Sequence, residues 1–253
     1  MARQPRLCVP GQLHHVLLRS HGRQPVWVDE TDRALLGRVL REQAPAFGVA
    51  VHAWALMTDH VHVLVTPRAA GAQAVPVVAG ALPLPAAAGD LSGWVQAVGR
   101  RYVPAFNRRH GHRGSLWEGR FRSTVLEARD WALKAMVWLD THPLRCGWTA
   151  EPACPHPSTT AGHYLGLQPM DGLTALPQFW ALGNTPFARE AAYRTLLEQG
   201  LDAASQAALA DAALSGWALG SAAFVAGLQC RTPRRLQRNP PGRPPSVARS
   251  PGV

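Results

Sequence analysis

The sequence predicts an α+β fold, a sheet with helices packed on it. Three observations predict it. The first two thirds of the chain read strand-helix-strand-strand-helix-strand-helix. The apolar fraction of 47% is enough to build a core. No apolar run reaches the roughly 18 residues of a membrane span.

The elements follow in order. Leu13–Arg19, LHHVLLR, reads as a first strand. Asp29 or Thr31 can cap a helix running to about Gln43, with Leu35, Val39 and Leu40 on one face and Pro45 and Gly48 ending it. Ala50–Met57 and Val61–Thr66 are strand-like, and the short polar turn at Thr58-Asp59 makes them an antiparallel hairpin. Residues 67–90, rich in Ala, Pro and Gly with Arg68 and Asp90 their only charges, read as an extended loop. A helix from Leu91 to about Arg109 contains Pro104, which predicts a kink or a split. Phe121–Leu126 is the last strand and Ala128–Thr141 the next helix, stopped by Pro143 and Gly147. This order leaves the sheet either mixed or antiparallel.

Composition changes after about Leu165. Three parts are expected: residues 1–166 as the α+β domain, 167–230 as a helical extension, and 231–253 as a disordered basic tail. The tail holds six arginines, six prolines and no acid, and reads either as solvated chain or as an arm that grips phosphates.

The net charge is +10 and the pI near 10.8, an excess that favours an anionic partner, above all nucleic acid. Lys134 is the only lysine; the rest of the positive charge is arginine, whose planar fork suits phosphates and bases. No apolar stretch follows Met1–Arg6, so no signal peptide is expected. Cys8, Cys146, Cys154 and Cys230 form no CxxC pair, which argues against a disulfide framework or a cysteine zinc site and for a cytoplasmic protein.

Two constellations carry chemistry. In Asp59-His60-Val61-His62 the alternation of a strand puts His60 and His62 on one face and Val61, Val63 and Val65 on the other. Two imidazoles on one face can fill two positions around a divalent cation, or be a half-buried pair. The second constellation runs from Arg100 to Arg122. It offers Arg100, Arg101, Arg108, Arg109, Arg113, Arg120 and Arg122 against the single acid Glu118, interleaved with Tyr102, Phe106, Asn107, Trp117 and Phe121. Arginines can track a phosphate backbone while exposed aromatics stack on unpaired bases; the alternative is a solvated helix face whose aromatics are core.

Five segments now stand in order: Leu13-His14-His15-Val16, Ala55 to His62, Phe106 to Gly111, Leu116 to Phe121, and Thr141-His142-Pro143-Leu144-Arg145. Together they resemble the REP-associated tyrosine transposases, relatives of the single-tyrosine insertion-sequence transposases with a His-hydrophobic-His motif. The resemblance covers roughly residues 5–166, with a weaker echo at Leu182–Phe187, Leu219-Gly220-Ser221 and Gly242-Arg243-Pro244. It implies a ferredoxin-like fold, often dimeric, that recognises hairpins in single-stranded DNA. It also implies that His60 and His62 hold Mg²⁺ or Mn²⁺ and that a tyrosine on the last helix attacks the scissile phosphate. That tyrosine lies five positions before the proline after the helix, and a third ligand four after the tyrosine. Here those positions are Trp138 and His142. Trp138 has no ionisable hydroxyl, so cleavage is expected to be impaired; a three-imidazole set of His60, His62 and His142 would favour Mn²⁺ or Zn²⁺ over Mg²⁺. Alternatives from this reading are a nuclease using Tyr102 or a metal-bound water, and a DNA-binding regulatory or architectural protein with no chemistry.

Overall fold

A computed structural model describes residues 6–71 and 87–238. The strands are β1 (Leu13–Arg19), β2 (Val49–Leu56), β3 (His60–Pro67) and β4 (Arg122–Leu126). The longer helices are α1 (Glu30–Gln43), α2 (Leu91–His110) and α3 (Ala128–Asp140); one-turn helices follow as α4 (His142–Arg145), α5 (Ala161–Tyr164) and α6 (Pro177–Trp180). Three more close the chain: α7 (Pro186–Gln199), α8 (Ala203–Ser215) and α9 (Ala222–Gln229).

The sheet order is β2-β3-β1-β4 and every pairing is antiparallel, so of the two expected sheets the antiparallel one forms. With α1 and α2 as the crossovers this is the ferredoxin-like arrangement, an α+β fold. The local signals act as expected. Asp29 caps α1 by accepting the amide of Asp32. Asp90 caps α2 by accepting the amide of Gly93. α2 neither splits nor ends at Pro104 but runs on to a left-handed Gly111, where φ is 66° and a residue without a side chain fits at no cost. The centre of the expected loop, residues 72–86, lies outside the described residues.

Alternation along the strands divides the interior. On one face Val16 and Leu18 of β1 and Val61, Val63 and Val65 of β3 pack against Leu36, Val39 and Leu40 of α1 and Trp94, Val98 and Phe106 of α2. A bulge at His52 resets the alternation of β2, so Val51 and Trp54, three residues apart, both point to that face. The other face, Leu13, Ala53, Ala55 and Leu64, is covered by α3 together with Tyr164, Phe179, Tyr193, Leu197 and Leu209. Helices α6, α7 and α8, all within residues 167–230, therefore share the core of the sheet.

The beginning of the tail also differs from expectation. Leu236 is fully buried with Leu7, Val9, Val125, Val225 and Leu228, and its carbonyl accepts the amide of Ala218. One apolar side chain, placed where α9 and β4 leave a gap, anchors residues 231–238 despite their arginines and proline. Residues 239–253 lie outside the described residues. The outer edge of β4 is covered, since Leu219 donates to Val125 and accepts from Glu127.

Candidate metal centre

β3 presents His60 and His62 on the face opposite its valines, next to Arg19 and Leu17 of β1, their partners in the antiparallel register. His142 arrives from the other direction. It begins α4, one helical turn after Trp138, and Thr141 at the α3–α4 junction fixes the bend by donating its hydroxyl to the Val137 carbonyl at 2.7 Å. The ligand nitrogens of His60, His62 and His142 lie within 4.8 Å of one another.

Two of the three rings are oriented from behind. Asp59 Oδ1 lies 2.6 Å from His60 Nδ1, which leaves His60 Nε2 free. His62 Nδ1 lies 2.9 Å from His15 Nε2, which leaves His62 Nε2 free. His142 Nδ1 is buried without a hydrogen-bond partner. Burial, then the neighbouring histidines and Arg145, hold His62 well below the usual imidazole range. Burial and then Arg145 pull His142 down to about 3, and burial alone pulls His15 down to about 4. These three rings are neutral at neutral pH, the state in which an imidazole binds a cation. The neutral rings of His62 and His142, the orphaned nitrogen of His142 and the Asp59 carboxylate behind His60 fit a divalent metal with nitrogen preference.

Trp138 stands at this cluster. Its ring is edge-on to His62 at 5.0 Å, to His142 at 5.4 Å and to His15 at 5.5 Å between centroids. The Arg145 guanidinium lies over the indole at 4.7 Å while donating to the Trp138 carbonyl at 2.6 Å. A cleft of about 460 Å³ opens above, lined by Arg19, Arg23, His60, His62 and Trp138 and walled by Ala213 and Leu214 of α8.

None of the chain's three tyrosines stands in Trp138's place. Tyr102, expected as a DNA contact or a substitute nucleophile, is fully buried on the α1–α2 face of the sheet and donates its hydroxyl to the Val26 carbonyl at 2.5 Å. Burial pushes its pKa far up, so it can neither stack on a base nor attack. A helical period that makes residue 102 face the sheet together with Trp94, Val98 and Phe106 overrides its place in a basic stretch. Tyr164 donates to the His52 carbonyl and Tyr193 to Asp140, both buried.

The basic stretch does not act as one surface. Arg109 pairs with Asp29 and Asp32 and so ties the end of α2 to the start of α1. The Asn107 amide donates to Gly114, and Arg101 faces Glu42 at 3.9 Å. Arg108 and Arg113 are exposed. Arg100, Trp117 and Arg120 line a groove of about 730 Å³ between α2 and the 115–121 loop. Arg122 donates to the Leu214 carbonyl of α8.

Sequence reasoning left His15 and α8 out of the site. Adjacent histidines in a strand point to opposite faces, and only the register tells which one meets His62. It is His15; His14 turns away, closing the N-terminal turn by accepting the Val9 amide at 3.0 Å and donating to Gln12 at 2.7 Å.

Comparison with known proteins gives a match of residues 8–76 to the family model described as "Transposase IS200 like". No curated protein matches the chain. Among solved structures, a REP-associated tyrosine transposase bound to a REP hairpin is similar at 13% identity and a TM-score of 0.47, covering 70% of this chain and 99% of the other. A protein described as a transposase from Deinococcus radiodurans R1 is similar at 22% identity and a TM-score of 0.31, covering 54% of this chain and 95% of the other.

Proposed function

We propose that this chain, whose residues 8–76 match the model of IS200-like transposases, binds single-stranded DNA hairpins of repetitive palindromic elements without cleaving them. One observation carries the reading: an indole, not a phenol, packs edge-on against His62 and His142, and each of the three tyrosines is buried with its hydroxyl engaged. A nucleophile for phosphoryl transfer needs an ionisable hydroxyl within reach of the phosphorus, roughly 3–3.5 Å. Trp138 supplies none.

The rest of the site suits a phosphate. His60, His62 and His142 would hold a divalent cation, Mn²⁺ or Zn²⁺ in preference to Mg²⁺ by donor type, and a cation there would polarise a phosphate oxygen. Asp59 and His15 keep two of the rings in the tautomer that leaves Nε2 open. Arg19 and Arg23 line the cleft and can receive the strand's negative charge. The +10 net charge supports an anionic polymer as partner, and no helix of the described residues is long and apolar enough to cross a membrane.

The test is a denaturing gel of labelled hairpin oligonucleotides incubated with Mg²⁺ or Mn²⁺. Wild-type protein is expected to bind in a salt-sensitive way and to give neither nicked strand nor covalent adduct. Trp138→Tyr is expected to give both. An adduct with the wild type would overturn the reading. A Trp138→Tyr variant that binds hairpin and metal yet leaves the strand whole would show that position 138 is not the nucleophile's place.

A further inference from the structure

Among the described residues, Arg23 is the one non-glycine residue with a left-handed backbone, at φ 58°. It follows Gly22, at φ 62°, in the tight turn His21–Arg23 after β1. A side chain in this region crowds its own backbone, a strain that glycine avoids. Such strain persists only where the surroundings hold it. Three backbone hydrogen bonds do so here. Ser20 donates to the Asp59 carbonyl at 2.9 Å, His21 to the Leu116 carbonyl at 3.0 Å and Val26 to the Thr58 carbonyl at 2.6 Å. Thr58 and Asp59 form the turn between β2 and β3, directly before His60. The Arg23 turn and the start of the histidine strand are thus one braced frame.

The side chain on this strained backbone lines the histidine cleft, together with His60, His62 and Trp138. Arg23 is exposed, and its guanidinium makes no hydrogen bond or ion pair with any described residue. The other charged groups of the cleft are engaged, Asp59 with the His60 ring and Arg19 with Glu118 at 3.9 Å. Arg23 therefore has no polar contact through which to hold the fold. Toward an anion in the cleft it has a clear use, since its planar fork gives two parallel hydrogen bonds to a phosphate.

We infer that Arg23 grips the DNA phosphate that faces His60, His62 and His142, and that the strained turn is kept because it aims this side chain. The inference rests on the hairpin-binding reading and goes beyond it by assigning one residue to one phosphate. That phosphate has oxygens enough for a cation at the histidines and for the fork of Arg23. Because the brace runs through Thr58 and Asp59, fork and imidazoles keep a fixed spacing, the condition for both to hold one group. Stability and binding then oppose each other at position 23: glycine suits the backbone, arginine the phosphate.

The experiment is fluorescence anisotropy of a labelled hairpin with a single-stranded flank over a salt series, in EDTA and in Mn²⁺, with the thermal midpoint of each protein. The proteins are wild type, Arg23→Gly, Arg23→Gln, Arg23→Lys, and Arg129→Gln as an exposed control outside the cleft. Loss of one single-strand phosphate contact lowers the slope of log K against log salt by about 0.7. Arg23→Gly and Arg23→Gln are expected to lose that slope and to bind severalfold more weakly. Arg23→Gly should do so with a midpoint at or above that of wild type, which separates lost binding from lost folding. Arg23→Lys, a point charge without the fork, should keep the slope and bind more weakly than wild type. Arg129→Gln should match wild type. Replacing flank phosphates one at a time by methylphosphonate should find a position that weakens wild type but not Arg23→Gln in EDTA, and the same position should abolish the gain in affinity from Mn²⁺. No such gain, or a gain that survives at that position, would detach Arg23 from the phosphate at the histidines. A midpoint of Arg23→Gly well below wild type would make the arginine a structural residue and overturn the inference. If Arg23→Gly and Arg23→Gln bind as wild type does, the inference is wrong and the hairpin reading stands. If wild type shows no salt-dependent hairpin binding, both fall.

Discussion

His15 and Trp138 show how far one side chain can set this site. His62 can offer Nε2 to a cation only if its Nδ1 carries the proton, and His15 Nε2, 2.9 Å away, stands where it can accept that proton. Residues behind a metal ligand typically change affinity by about 10–100-fold. His15→Ala is therefore expected to weaken Zn²⁺ or Mn²⁺ binding by about that factor in calorimetry, and His15→Gln, which keeps an acceptor, to recover part of it. Equal affinity in His15→Ala and wild type would remove His15 from the site. Trp138 in turn makes three edge-on ring contacts and one cation–π contact. Ring contacts of this kind contribute about 0.5–1.5 kcal/mol each, so Trp138→Tyr should lower stability by roughly 1–2 kcal/mol while supplying the hydroxyl. Urea unfolding of that variant separates a folding defect from a chemical one.

At the scale of elements, the last helices are part of the fold and not an appendage. Asp140, the final residue of α3, is buried and accepts from Tyr193 of α7 at 2.7 Å and from the Thr160 amide and hydroxyl at 3.0 Å each. Burial pushes its pKa up to about 7 in spite of these donors. Tyr193→Phe removes one donor from a buried carboxyl, a loss of about 1–3 kcal/mol. Unfolding is expected to stay a single transition at a lower midpoint, because α7 and the sheet share one core. Two separated transitions, by circular dichroism and by tryptophan fluorescence, would instead make residues 167–230 an independent unit. The sequence marked these helices by composition, and their caps at Thr185, Asp202 and Ser221 are readable in it. It did not show where they dock, since the alanines that make up most of α8 lie on all its sides and mark no single apolar face.

For the whole molecule, acid is the informative stress. His14, His15 and His52 are held at about 4 and His142 at about 3, all chiefly by burial. A histidine whose folded pKa lies below its unfolded 6.5 gives its full stability above pH 6.5 and loses it as the pH falls toward 4. A shift from 6.5 to about 4 corresponds to roughly 3 kcal/mol per residue. Asp140 works against them: its raised pKa makes the protein more stable as the pH falls from about 7. Several histidines outweigh one aspartate, so the thermal midpoint should fall between pH 6.5 and 4. A midpoint flat over that range would mean that the buried histidines titrate as freely as in the unfolded chain.

The sequence by itself determined the element order, the cap of α1 at Asp29, the common face of His60 and His62, and the place of His142 one turn beyond Trp138. All of these follow from local periods, two residues in a strand and nearly four in a helix. Tertiary structure decided what depends on register and docking. It turned His15 and not His14 toward His62, buried Tyr102 against the sheet, and engaged Arg109 with Asp29 and Asp32. No local period encodes such pairings. They arise when the two faces of one sheet are covered by helices far apart in the chain, and each face takes the side chains its strands present.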